Sequence, residues 1–275
     1  MKFAIQTVNG DIVHDFSFHL IQAIEFQGWL GEEIQYEKMN NVPDIIDDKL
    51  IDYCPVGSVE FVSQWLEKTT GTRPKPVNIP YCLRTKSFSQ RYILDVTVDD
   101  KGIIHNKVSS FSAPFSSLQG KDVILKSSDK IKSVTTSLRL SDKPQTYYAM
   151  ATDSMELIPE GNYIISEYVD ITSEWRCFVY KNNLVGLANY SGEFTIFPNV
   201  FFIQEMIRTY SEKGAPVAYT LDVGVGLKGT FVIEVHDFFS CGLYGFMDYK
   251  LYPFMLYRWW KEYLNKTKQN DLQIR

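Results

Sequence analysis

The sequence has no block of basic residues. Its 28 Lys and Arg are outnumbered by 33 Asp and Glu, for a net charge of −5. The basic stripe of a general nucleic-acid binder is therefore missing. No Cys-x-x-Cys occurs; the four cysteines, Cys54, Cys82, Cys177 and Cys241, are scattered. That pattern suits reduced, buried thiols in a cytosolic protein. The opening "MKFAIQTVNG" has one Lys and too short an apolar run for a signal peptide. No apolar run approaches the ~20 residues that span a bilayer. There is no internal repeat and no long disordered segment. The expectation is a soluble cytoplasmic protein with no nucleic-acid or membrane partner. Oligomeric state is not legible.

What is present is a large apolar fraction. Of 275 residues, 45% are hydrophobic and 15% aromatic, enough for one large domain or two to three small lobes. "KFAIQTV" reads as a strand, and "DFSFHLIQAIEFQGW" as a helix with Asp15 at its N-cap. "LIDYCPVGS" reads as a strand and turn. "SVEFVSQWLEKTTG" reads as a helix capped by Ser58 and stopped by Gly71. The Pro-containing "TRPKPVNIPYC" marks a boundary, giving an α/β lobe over residues 1–84. Strand candidates then dominate: "RYILDVTVDD", "DVILKSSDK", "NYIISEYVD", and a hairpin "EWRCFVYKNNLVGLANY" turning at Asn182-Asn183. "FPNVFFIQEMIRTYSEKG" and "YPFMLYRWWKEYLNKTK" are helices, with Trp259 and Trp260 as packing residues.

One stretch breaks the apolar pattern. "LDVGVGLKGTFVIEVHDF" carries Asp222, Glu234 and His236 among Leu, Val, Ile and Phe. A hairpin turning through Leu227-Lys228-Gly229 sets Gly226 against Thr230, Gly224 against Val232 and Asp222 against Glu234. Alternation then gathers Asp222, Glu234 and His236 on one face. Leu221, Val223, Val225, Phe231, Ile233 and Val235 take the core face. Opposed like charges destabilise a sheet, so the two carboxylates call for a cation, a shared proton, a basic partner or a solvated face. Oxygen-only ligation suits Mg²⁺. Gly224 and Gly226 leave the face open.

Upstream, Glu167 closes an apolar strand and Glu174 opens the next. Such a strand–linker–strand can present backbone amide groups to an adenine edge, and Glu174 can accept from ribose hydroxyls. Arg176 alternates onto the side of Glu174 and can hold phosphate or carboxylate. Lys126 ends an apolar strand, and Lys130 and Lys132 follow in a Ser/Thr-rich loop that lacks the Gly-x-x-x-x-Gly-Lys spacing of a P-loop. By themselves these lysines read first as a solvated loop, with phosphate binding as the alternative.

The order of these features resembles the ATP-grasp superfamily: lysines, Glu-x₆-Glu around a linker, a strand Asp, then Glu-x-His. The phrases "PVGSVEFV", "EWRCFV", "LDVGV" and "IEVHDFFSCGLYG" are similar to the phage and bacterial ATP-grasp clade named for one arginine and two lysines. The resemblance covers roughly residues 85–250. It implies an α+β fold of two lobes clamping ATP, residues 85–166 and 167–275, after the N-terminal lobe. It also implies that Lys126 and Lys132 contact nucleotide phosphates. Glu167, Tyr168 and Val169 would form the adenine linker, and Glu174 would hold the ribose. Arg176 is the clade arginine and would steady an acyl phosphate. Asp222, Glu234 and His236 would hold Mg²⁺. Two departures stand out. His236 replaces the usual Asn, and the second-lysine phrase reads "KSVTT" where the clade has Lys-x-Phe-Thr-Gly. Asp237 could substitute for the Asn, although its alternation points it away.

The implied activity is ATP-dependent ligation of a carboxylate to an amine, with small-molecule or peptide substrates, in the host cytoplasm if the chain is phage-encoded. Two rivals stand beside it: a degenerate ATP-grasp protein that binds nucleotide or a partner without turnover, and a phosphotransferase acting on a hydroxyl. Ser240, after the metal strand, reads as a substrate contact or as plain turn chemistry.

Overall fold

A computed structural model describes residues 1–26, 34–74, 78–107, 115–129, 135–139 and 158–273. The chain begins with β1 (Lys2–Gln6), α1 (Asp15–Phe26), β2 (Gln35–Met39), β3 (Cys54–Val56) and α2 (Val59–Thr70). These strands form a parallel sheet in the order β2-β1-β3. Local chemistry fixes α2. Ser58 Oγ accepts from the Phe61 amide, and Gly71, at φ 68°, donates its amide to the Glu67 carbonyl. β2, "QYEKM", is largely exposed and carries too few apolar residues to announce itself. "LIDYCPVGS" is strand only over its last part.

After a short 3₁₀ turn at Tyr81–Leu83 come α3 (Lys86–Ser89), β4 (Ile93–Val98), β5 (Ile104–Asn106), β6 (Asp122–Ser127), β7 (Thr135–Arg139) and β8 (Gly161–Glu167). They build an antiparallel sheet in the order β5-β4-β8-β6-β7. One face packs Leu94, Val96, Val98, Val123, Leu125 and Ile165 into a separate small core.

The last sheet, β10-β9-β11-β12, is also antiparallel. It uses β9 (Ser173–Tyr180), β10 (Asn183–Gly192), β11 (Ala218–Gly226) and β12 (Gly229–Asp237). Between β10 and β11, α4 (Val200–Ser211) places Ile203, Met206 and Ile207 against Trp175, Cys177, Leu221 and Val223. The β9–β10 turn is Lys181-Asn182, both at positive φ, one residue earlier than the Asn182-Asn183 expected. The mixed helices and antiparallel sheets are the expected α+β class.

The final helix, α5 (Tyr252–Gln273), belongs to two neighbourhoods. Its Met255, Leu256, Trp259 and Trp260 join Phe3, Leu20, Ile24 and Trp65 of the N-terminal lobe in one apolar cluster. It also packs on β11. The tail that sequence order attaches to the last lobe therefore ties that lobe to the first. Trp259 and Trp260 are buried packing residues, with Trp259 stacked on Phe239 at 5.2 Å. All four cysteines are free thiols, three of them buried. Among the described residues no helix is long and apolar enough to cross a membrane.

Candidate functional site

The second face of the five-stranded sheet looks across a cleft at β12. Register sets its floor: Ile93, Ser166 and Ile124 lie side by side, and Ile164 pairs with Lys126 in the next row. With Ile233 and Glu234 of β12, and Asn78 and Ile79 of the connector, these residues enclose about 200 Å³. Arg91 and Thr135 complete the lining. Across this space the Lys126 ammonium meets the Glu234 carboxylate. The apolar strand that carries Lys126 thus delivers its charge into the cleft.

The β11–β12 hairpin corrects the expected register. The loop is Leu227-Lys228, and Gly226 pairs with Gly229. A bulge then inserts Ile233 as an extra residue, so that Asp222 still faces Glu234. The expected pairing survives because the shorter turn and the bulge cancel. The faces survive in part. Leu221, Val223, Val225 and Val235 share one core as expected, but Val232 joins them there and Phe231 and Ile233 do not. Ile233 turns to the cleft with Glu234, and Phe231 comes opposite Gly224. The expected open face over the glycines is filled by the chain itself. A Cβ on Gly224 would come within 2.8 Å of the Phe231 ring, and one on Gly226 within 2.6 Å of the Asp170 carbonyl oxygen.

Asp222 is engaged by Arg176. Cross-strand pairing of β9 with β11 sets the two side by side. The Arg176 Nε and Nη2 donate to the two carboxylate oxygens at 2.9 and 2.7 Å, and Nη1 donates to the Gly242 carbonyl at 3.2 Å. Tyr244 and Tyr190 lie over the guanidinium, with ring centres 5.0 and 5.7 Å from Cζ. Burial pushes the Asp222 carboxyl above its ordinary value, and Arg176 only partly offsets this. Burial also disfavours the Arg176 charge, but Asp222 outweighs it and moves that pKa up. The Tyr190 hydroxyl donates to Glu174 at 2.7 Å. Burial, then Asp222 and Glu174, raise its pKa, so it stays a donor. Tyr190 and Tyr244 escaped the sequence reading. Strand alternation from Arg176 across the β9–β10 hairpin was the available signal for Tyr190; Tyr244 gave none.

The linker residues divide. The Glu167 carboxylate is drawn back onto its own lobe by Lys121 at 2.8 Å, Lys86 at 3.3 Å and the Tyr92 amide at 3.3 Å. The Glu167 and Tyr168 amide groups donate to the Tyr92 and Asp122 carbonyls. Val169 is half-buried and follows at the start of the connecting segment. Ser240, at φ 49°, donates its hydroxyl to the Gly57 carbonyl at 2.7 Å. That bond docks the post-β12 loop on the N-terminal lobe. Lys130 and Lys132 lie outside the described residues.

The expected metal set does not assemble. Glu234 lines the cleft, but both Asp222 oxygens face Arg176. The His236 Nδ1 donates to the Asp237 carbonyl, and its ring opens on another cavity of about 270 Å³ with Tyr81, Arg84, Tyr210 and Asp237. Burial lowers the His236 pKa. Among the described residues no group of three or more His, Cys, Asp or Glu is placed to hold a metal ion.

The family model for "ATP-grasp domain, R2K clade family 2" matches residues 119–253. Residues 119–253 thereby belong to the ATP-grasp superfamily. The match spans β6 to the start of α5 and so includes Lys126, Glu167, Glu174, Arg176, Asp222 and Glu234. A similar solved structure carries the same fold. N5-carboxyaminoimidazole synthetase from Staphylococcus aureus, complexed with ADP, is 10% identical over 86% of this chain and 71% of its own, with a TM-score of 0.51. D-alanine–D-alanine ligase from Bacillus anthracis is 13% identical over 98% of both chains, with a TM-score of 0.49. No curated protein matches the sequence at a significant level.

Proposed function

We propose that this ATP-grasp protein is an ATP-dependent carboxylate–amine ligase that forms an amide or peptide bond. The observation that carries the reading is the Lys126–Glu234 pair across an apolar cleft between two sheets. Isoleucine walls suit a flat base. A lysine at the strand end suits phosphate oxygens. Lys126 leaves Glu234 for the triphosphate when nucleotide enters, and Lys132 supplies a second cation. The Glu167–Tyr168–Val169 linker borders the base and Glu174 the ribose. The substrate carboxylate oxygen attacks the γ-phosphorus. The bond from that phosphorus to the β–γ bridging oxygen breaks, releasing ADP. The amine then attacks the acyl phosphate, loses a proton, and expels inorganic phosphate.

Arg176 fits this scheme as a positioning residue. Its guanidinium is consumed by Asp222 and Gly242, so it ties β11 to the loop at Gly242. Magnesium, which the family resemblance assigns to Asp222, Glu234 and His236, finds only Glu234 lining the cleft among those three. No step is routed through the metal. That same observation favours a second reading, nucleotide binding without turnover.

One assay separates the readings. The full chain is incubated with ATP and pools of amino acids and peptides, and both ADP and new amides are measured. A ligase releases ADP only when a carboxylate and an amine are both present. Saturable ATP binding with no ADP from any pool would establish the binder, and a phosphorylated hydroxyl product the phosphotransferase.

A further inference from the structure

Arg91 is a buried cation without an anion. It is 8% exposed. Its Nη2 donates to the Ile233 carbonyl at 3.1 Å, and its Nε has no hydrogen-bond partner. Among the described residues no carboxylate lies within ion-pair distance of it. Glu234, which attracts it from further off, is paired with Lys126. A buried charge left unpaired is costly, yet burial lowers its pKa only to about 10, so the charge persists at neutral pH. The side chain lines the nucleotide cleft.

Its place along the floor identifies what it meets. Arg91 precedes Ile93 by two residues and points to the same face, on the side where the linker leaves β8 after Glu167. Lys126 lies level with Ile164 and Asp95, four residues further along β4. At ~3.4 Å per residue that separates the two backbone positions by roughly 13 Å of strand, the Arg91 side chain reaching β12 at Ile233. Lys126 stands for the phosphate end, and the Arg91 backbone lies toward the linker end. The Phe231 ring sits 5.5 Å from its Cζ. A guanidinium stacks on aromatic faces and carries donors in its plane. A purine offers both a π face and ring-nitrogen acceptors.

We propose that Arg91 is a base-recognition residue, meeting the purine of a nucleoside triphosphate at the linker end of the cleft. The inference rests on the nucleotide reading of that cleft. It lies outside the segment matched by the ATP-grasp family model, which begins at residue 119.

The test is calorimetric titration of the full chain, wild type and Arg91→Met, with adenosine, AMP and ATP. A contact to the base weakens all three by the same factor, about tenfold, the range of one hydrogen bond to a charged group. Lys126→Ala, the control, spares adenosine and weakens ATP. If Arg91→Met spares adenosine and weakens ATP, Arg91 is a phosphate ligand and the proposal fails. If a folded Arg91→Met binds all three like wild type, Arg91 is only a staple between the lobes and the proposal also fails. Should Arg91→Met not fold, Arg91→Lys keeps the charge and the reach to Ile233 but loses the planar fork. Wild-type adenosine affinity in Arg91→Lys would overturn planar recognition. A wild-type chain that binds no ATP at all would instead overturn the nucleotide reading itself.

Discussion

Asp222→Asn should destabilise the nucleotide-free protein, and the size of the loss decides what Asp222 does. The wild-type pair makes two parallel bonds, with side chains only 9% and 3% exposed. Asn keeps the shape but turns one acceptor into an NH₂ donor facing the guanidinium. Arg176 is then buried without its counter-charge. Removing one partner from a buried pair costs about 3–5 kcal/mol, a large share of the ~5–15 kcal/mol of a typical domain. At ~2–4 °C per kcal/mol, the melting point should fall by roughly 6–20 °C. Replacing both residues by apolar ones, Arg176→Met with Asp222→Leu, should recover most of the loss, because no lone charge remains. Thermal and urea melts of wild type, Arg176→Met, Asp222→Leu and the double variant supply the cycle. An open metal-site carboxylate predicts the opposite sign, since Glu234 and Glu174 both push the Asp222 pKa up and removing its charge would relieve them. An Asp222→Asn melt within about 1 kcal/mol of wild type, or above it, would refute the structural pairing.

Three further outcomes are expected. Lys126→Ala should lower ATP affinity by about tenfold. Its cost to the unliganded fold should stay under about 1 kcal/mol, because the pair with Glu234 is partly exposed; unchanged ATP titrations would remove Lys126 from the site. For Glu167, burial pushes the carboxyl up, but Lys121, the Tyr92 amide and Lys86 together hold it below its usual range. A depressed folded pKa adds stability above the unfolded value of ~4.3 that is lost as pH falls through the folded one. Glu167→Gln should therefore melt below wild type at neutral pH, with the gap closing under about pH 4; a gap independent of pH would contradict the linkage. His236→Asn should leave ATP affinity unchanged, since the ring opens on the neighbouring cavity; weaker binding in calorimetry would put His236 back in the cleft.

The sequence by itself determined what depends on local periodicity and capping. Ser58 and Gly71 bracket α2, and Asn199 caps α4, through bonds that reach no further than four residues. Alternation put Glu174 and Arg176 on one face. It also paired Asp222 with Glu234, although the turn was drawn one residue too long. Alternation tells which residues share a face, and a bulge interrupts it without a local signal. The exchange of Phe231 and Ile233 for Val232 was decided by how β12 packs on the connector and the other lobe. Partner choice was tertiary as well. Asp222 and Arg176 lie 46 residues apart, and Lys126 and Glu234 108 apart. Arg91 reaches β12 across 142 residues. A carboxylate's partner is set by whichever charge the fold brings within a few ångströms. Sequence spacing carries that information inside a helix or along a strand, but not across a cleft between lobes.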